Sequence, residues 1–352
     1  MRHRPFLLLG AFCALGVIGS LLAAPGVQAE PEATGLSAGA VELKHKGFRT
    51  FAFVLPEPRF LPVSGGFDFR EVGGANFKAT LDGEALQVDT DGDGEVDTKL
   101  EGKDAFLRLK AANGFRYAAR LVNTPRGWMY APGGALVGKI GETRITLIDQ
   151  DGNGRHGDKA DAMIVGRSDH ATWFSQVVNV DGQLHTIRIA KDGRQLHHEP
   201  YAGAAGTLDG VQKHRADAKL LAAIVRSEDG AHSFDLAKAE KGLRVPAGRY
   251  LLQGGALGLG DNLVRFRQGK TPALEVKPDS TRVLAWGAPL RADFAYERKG
   301  DEVHFDPRHV RYFGAAGEEY IDWHPCGKSP EFRIVDAQKA TEIATAIFAG
   351  NC

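Results

Sequence analysis

Two short acidic runs carry the most specific chemistry in this chain. Asp89-Thr-Asp91-Gly-Asp93-Gly-Glu95-Val-Asp97 puts carboxylates at loop positions 1, 3, 5 and 9, with glycine at position 6. Asp149-Gln-Asp151-Gly-Asn153-Gly-Arg155 repeats the oxygen donors at 1, 3 and 5 and the glycine at 6. Alternate side chains converge on one point when the backbone curls, and the glycine permits the sharp turn. The main-chain carbonyl at position 7, from Glu95 or Arg155, adds another oxygen. Hard oxygen donors on a flexible loop suit Ca²⁺, which accepts irregular shells, better than Mg²⁺, which demands an octahedron. Three carboxylates within five residues also repel one another unless a cation neutralises them.

The spacing matches the first half of an EF-hand loop and is similar to the D-x-D-x-D-G loops of dockerins and thrombospondin type 3 repeats. The resemblance implies calcium binding. The sequence departs from the EF-hand at position 12, where Leu100 and Ala160 replace the bidentate glutamate. Glu101 and Asp161 stand one place later and would close a loop one residue longer; alternatively Asp97 and Asp158 complete the shells. Leu86–Val88 and Ile145–Ile148 read as strands leading in, and Met163–Val165 as a strand leading out. The expectation is a pair of strand–loop–strand sites with structural calcium, not helix–loop–helix sensors. Metal-free hairpin turns are the competing reading, because Asp-Gly pairs also fall at 82–83, 181–182, 192–193, 209–210 and 229–230.

The elements that must hold these loops read as strands and turns. Residues 115–122 alternate with period two, and Trp173–Val180, Asp181-Gly182 and Gln183–Ala190 form a strand–turn–strand pattern. Glycine makes up 44 of 352 residues, above the usual ~7%, without the period of collagen. The expected class is all-β, with two β-sandwich or barrel-like domains: 30–205, carrying both acidic loops, and 206–352. The boundary falls in the glycine-rich Pro200–Gly210. Lys213–Arg226 is alanine-rich and fits a helix, but Leu220–Val225 before Glu228-Asp229-Gly230 favours a strand entering a hairpin; Ala337–Phe348 fits helix or strand. Leu243-Arg-Val-Pro-Ala-Gly-Arg-Tyr-Leu-Leu252 resembles the Pro-x-Gly-x-Tyr phrase of transthyretin-like and carboxypeptidase-regulatory domains, which implies a β-sandwich and no activity.

Arg2 and Arg4, the apolar stretch Phe6–Ala24 and the small residues before Glu30 predict a signal peptide over 1–29. An uncleaved anchor is the alternative. Either places the rest outside the cytoplasm: secreted, periplasmic or at a cell surface, and of bacterial type. Cys326 and Cys352 are expected to form one disulfide in that setting, with two free thiols as the alternative. Lys and Arg balance Asp and Glu at 44 each, which argues against a nucleic-acid partner. No later stretch is long and apolar enough to span a membrane.

No G-x-S-x-G, H-E-x-x-H or phosphate-binding loop occurs. Ser168-Asp169-His170 has triad residue types, but neighbours on a strand point to opposite faces. His185, His197 and His198 lack a metal-binding spacing, and Trp128 with Tyr130 suits a core better than a sugar platform. The expected function is non-enzymatic: a secreted calcium-binding protein that binds a glycan or protein or serves a structural role. The alternative is a secreted hydrolase of glycans or peptides, stabilised by calcium.

Overall fold

Alternating apolar and polar residues become antiparallel strands almost everywhere in the computed structural model, which describes residues 36–260, 262–300, 302–305, 309–321, 331–336 and 338–347. The signal peptide expected over 1–29 and both cysteines of the expected disulfide, Cys326 and Cys352, lie outside the described residues. Helix is confined to short pieces, such as single turns at Arg70–Gly73 and Leu236–Lys238. The protein is all-β, and none of the described sheets closes into a barrel.

The first acidic loop joins neighbours in a sheet of Gly66–Phe69, Ala75–Asp82, Ala85–Val88 and Thr98–Leu100. A second sheet, Leu61–Pro62, Gly127–Pro132, Arg116–Thr124 and Asp104–Lys110, shares its core. Phe67, Phe69, Phe77 and Val88 from the one pack with Leu109, Tyr117, Leu121 and Trp128 from the other. Each buried phenylalanine there contributes about 2 kcal/mol, so this aromatic block is a main stabilising unit. Trp128 and Tyr130 are core residues, as their spacing suggested. Trp128 donates its indole N–H to the Glu84 carbonyl (3.0 Å) and Tyr130 its hydroxyl to the Gly152 carbonyl (3.0 Å).

The second acidic loop lies in a sheet ordered Thr172–Trp173, Ala162–Val165, Thr143–Ile148, Gly134–Ile140 and Lys44–Gly47. Its core, with Ile145, Leu147 and Met163, is completed by Val178, Ile187 and Leu196 from a fourth sheet. That sheet contains Gly39–Glu42, which pairs with Gln195–Pro200. The expected hairpin is present: Val177–Val180 turns at Asp181 (φ 50°) and Gly182 (φ 88°) into Gln183–Ile189, while Trp173 belongs to the neighbouring sheet.

Further on, the long strand Gly248–Leu259 pairs with Lys219–Ser227 on one side and Asn262–Arg267 on the other. Lys219–Ser227 confirms the strand expected within Lys213–Arg226, and Glu342–Ile347 settles the ambiguous segment as strand. Within the Leu243–Leu252 phrase, Tyr250 is fully buried and donates its hydroxyl to the Pro246 carbonyl (2.8 Å). Contacts cross the position expected for a domain boundary. Ala205 shares a small core with Val177 and Leu184, and the Gln176 amide donates to the Ala231 carbonyl (2.9 Å). The described residues from Leu36 onward belong to one compact unit. Among the described residues, no helix is long and apolar enough to cross a membrane.

Candidate metal centres

Both acidic loops connect antiparallel neighbours, as expected: Val88 pairs with Thr98 around the first, and Ile148 with Ala162 around the second. In each, the aspartate at position 1 is buried at the strand end and organises the turn. Asp89 accepts hydrogen bonds from the amides of Gly92 (2.6 Å) and Gly94 (2.9 Å). Asp149 accepts them from Asn153 (3.1 Å) and Gly154 (2.8 Å). The glycine at position 6 has positive φ in both, 96° at Gly94 and 83° at Gly154, where a side chain is strained. At Gly154 an added Cβ would also fall onto the Phe69 ring.

In the first loop, carboxylate oxygens of Asp89, Asp91 and Asp93 lie within 4.8 Å of one another and could hold a metal ion. Asp91 and Asp93 are exposed, as is Glu95. Asp97 does not join this triplet. Its carboxylate accepts from the Thr90 amide (2.8 Å) and from the hydroxyls of Thr90 (2.7 Å) and Thr98 (2.6 Å). Partial burial works against the charge on Asp97, but the bonds from Thr98 and Thr90 prevail and lower its pKa. Glu101 lies past the end of the returning strand and pairs with Lys99 at 3.1 Å.

In the second loop, oxygens of Asp149, Asp151 and Asp161 converge in the same way and could hold a metal ion. Asp161 accepts from the amides of Gln150 (3.2 Å), Gly157 (2.6 Å) and Asp158 (3.1 Å), so the acid one place beyond position 12 is the one that closes this loop. Asn153 donates its side-chain amide to both Asp151 (2.9 Å) and Asp158 (2.9 Å), and its own oxygen accepts from the Arg155 amide (2.7 Å). Asp158 therefore borders the cluster through Asn153. The Arg155 side chain points away, to Glu71 (2.9 Å).

Burial sets the second loop apart. Asp149 and Asp161 are 1% and 0% exposed. Desolvation pushes the Asp149 carboxyl well above the usual carboxylate range, and Asp151 adds to the rise. Desolvation, then the charges of Asp149 and Asp158, push Asp161 up to about 9. Such a site must be neutralised by protons or by a cation. Beside it, the Tyr117 hydroxyl is buried, and Asp149 acts on it both as the foremost charge and through a side-chain hydrogen bond.

Two histidines flank this region and stay neutral through burial. Desolvation, then Arg116, lowers His45 to about 4; desolvation, then His45, lowers His156 to about 3. Neither histidine nor Tyr117 was singled out in the sequence, since no local motif signals them.

Other sequence candidates do not assemble. Ser168 Oγ accepts the His170 amide (3.1 Å) in a turn, with Asp169 exposed. The His185 and His198 rings lie 5.5 Å apart, but His197 is exposed. Among the described residues, the two aspartate triplets are the groups of three or more potential ligands that converge. In comparisons with known proteins, no family model, curated protein or solved structure matches the chain.

Proposed function

We propose that this is an exported, non-enzymatic binding or structural protein whose two acidic loops hold structural calcium ions, with a glycan or protein as its extracellular ligand. The observation that carries the metal reading is the convergence of Asp149, Asp151 and Asp161 at a buried strand end. Protons on Asp149 and Asp161 neutralise those two but bring no positive charge to the Asp151 carboxylate beside them. A doubly charged cation offsets two of the three charges and can be coordinated by all three carboxylates. The donors are carboxylates, an amide oxygen at Asn153 and loop carbonyls, a hard and irregular set that favours calcium over magnesium. An ion bound by the folded chain alone stabilises it through mass action, which is the role assigned here.

The test is a thermal melt with millimolar calcium, with magnesium and with chelator, repeated for Asp91→Ala and Asp151→Ala. A melting point raised by calcium more than by magnesium, and less so in each variant, is the expected result. Identical melts in all conditions would reduce the loops to solvated turns and overturn the reading.

A further inference from the structure

A second feature lies away from both acidic loops, on the sheet that pairs Gly39–Glu42 with Gln195–Pro200 and Gln195–Pro200 with Gln183–Ile189. Alternation sends Ile187 and Leu196 into the core and leaves Thr186, Arg188, His197 and Glu199 on the opposite face. Register sets these four in two rows: Arg188 lies directly across from His197, and Thr186 across from Glu199. Rows two residues apart along a strand are separated by about 7 Å. The edge strand extends them with small residues, Ala40 beside His197 and, in the same register, Ala38 beside Glu199.

Between the rows, Gly39 pairs with His198. The His198 ring lies on the core side, where a Cβ on Gly39 would meet it, and its centre is 5.5 Å from that of the buried His185 ring. Main chain therefore floors the gap, and the result is a depression of about 190 Å³. The side chains around it are accessible and uncommitted. Arg188, His197 and Glu199 are exposed, and among the described residues none of the three side chains makes a hydrogen bond or an ion pair. Arg188 and Glu199 are diagonal neighbours of opposite charge, within the reach of long side chains, yet they do not bond to each other.

Charge narrows the choice of ligand. Glu199 repels a simple anion from Arg188, and Arg188 repels a simple cation from Glu199. A molecule carrying both charges meets both rows. The guanidinium fork matches a carboxylate, and a carboxylate accepts well from an ammonium. The depression exceeds the ~150 Å³ that holds benzene, which leaves room for a compact zwitterion. We propose that it binds a free α-amino acid, its carboxylate on Arg188 and His197 and its ammonium on Glu199, with the Thr186 hydroxyl alongside. The two ligand charges sit closer together than the rows, and the long arms of Arg188 and Glu199 reach inward to them.

The probe is L-alanine, titrated into the full chain and followed by NMR, with alaninamide and N-acetylalanine as blocked forms. Alaninamide keeps only the ammonium and N-acetylalanine only the carboxylate. Alanine should bind at least about fivefold more tightly than either, the gain from one further exposed ion pair at the upper end of its range. Arg188→Gln should abolish the preference for alanine over alaninamide and keep that over N-acetylalanine. Glu199→Gln should do the reverse. Both side chains are exposed, so neither substitution should disturb the fold. Equal binding of the three compounds to the unaltered chain would overturn the proposal. So would alanine binding that either variant leaves unchanged, or no saturable shift up to the solubility limit, as expected if the side chains are merely solvated. The site shares no residue with the acidic loops: a melt indifferent to calcium with selective alanine binding would remove the metal reading and keep this one.

Discussion

The two acidic loops share a motif and differ in depth. At the first, two of the three converging aspartates face solvent; at the second, two of the three are buried and sit beside Tyr117 and Tyr130. The second loop is also tied outward. Its Lys159 ammonium donates to the Asp229 carbonyl (2.6 Å), and Arg226 donates to the Lys159 carbonyl (2.6 Å). The Arg226 guanidinium in turn lies 5.1 Å from the centre of the Trp173 ring. The same ligand spacing thus yields a surface clip in one place and a buried joint in the other. Depth, not motif, decides how much of the fold would depend on a bound ion.

The largest expected effect follows from that difference. Asp161→Ala should remove about 3 kcal/mol of calcium-dependent stability, the value for an ion at ~100 times its dissociation constant. Asp91→Ala should remove about 1 kcal/mol, as for a weaker, solvent-facing site. Denaturant melts with calcium and with chelator would measure both, and equal losses would erase the distinction.

The glycines at position 6 give the next contrast. Gly94→Ala should cost about 1–2 kcal/mol, the strain of a left-handed residue. Gly154→Ala should cost about 3 kcal/mol or more, because overpacking against Phe69 adds to that strain. Equal costs in chelator would mean that the Phe69 ring yields readily.

Acid should also separate the loops. His45 and His156, held to about 4 and 3 beside the second loop, stay neutral in the folded chain while the unfolded chain protonates near 6.5. Stability contributed by these groups is present above about 6.5 and is lost as pH falls toward 4. The raised Asp149 and Asp161 carboxyls work the other way in the metal-free chain. With calcium present, therefore, protection factors, corrected for intrinsic exchange, should fall at pH 4.5 for amides around Ile148 and Ala162 more than for those around Val88 and Thr98. His45→Asn should reduce that acid sensitivity; an unchanged profile would assign the lability elsewhere. The smallest effect belongs to Glu71→Ala. Its ion pair with Arg155 is exposed on both sides and should be worth less than about 0.5 kcal/mol in a double-mutant cycle.

Much of this contrast was invisible in the sequence. The donors at positions 1, 3 and 5 and the flanking strands were legible because their contacts are local. The closing acids were not. Glu101 and Asp161 hold equivalent places, yet the first loop returns to strand at Thr98 and leaves Glu101 beyond the site, whereas the second stays open until Asp161. Burial of Asp149 depends on Tyr117 and on the packing of Phe69 against that ring (4.5 Å), contributed from other sheets. The all-β class was readable from alternation and Asp-Gly turns. The traffic across the expected boundary at 205 was not, because contacts such as Gln176 with Ala231 leave no periodic trace.

The pairing of Gly39–Glu42 with Gln195–Pro200 bears on the order of assembly. A chain emerging from its N-terminus presents this strand early, but its neighbour follows only after the whole intervening stretch has been made. Lys44–Gly47 similarly waits for Gly134–Ile140. Each acidic loop, by contrast, closes between strands adjacent in sequence, and short loops close far faster than distant strands meet. The two hairpins can therefore take shape during synthesis, while the first described strand remains an unpaired edge until its sheet is nearly finished.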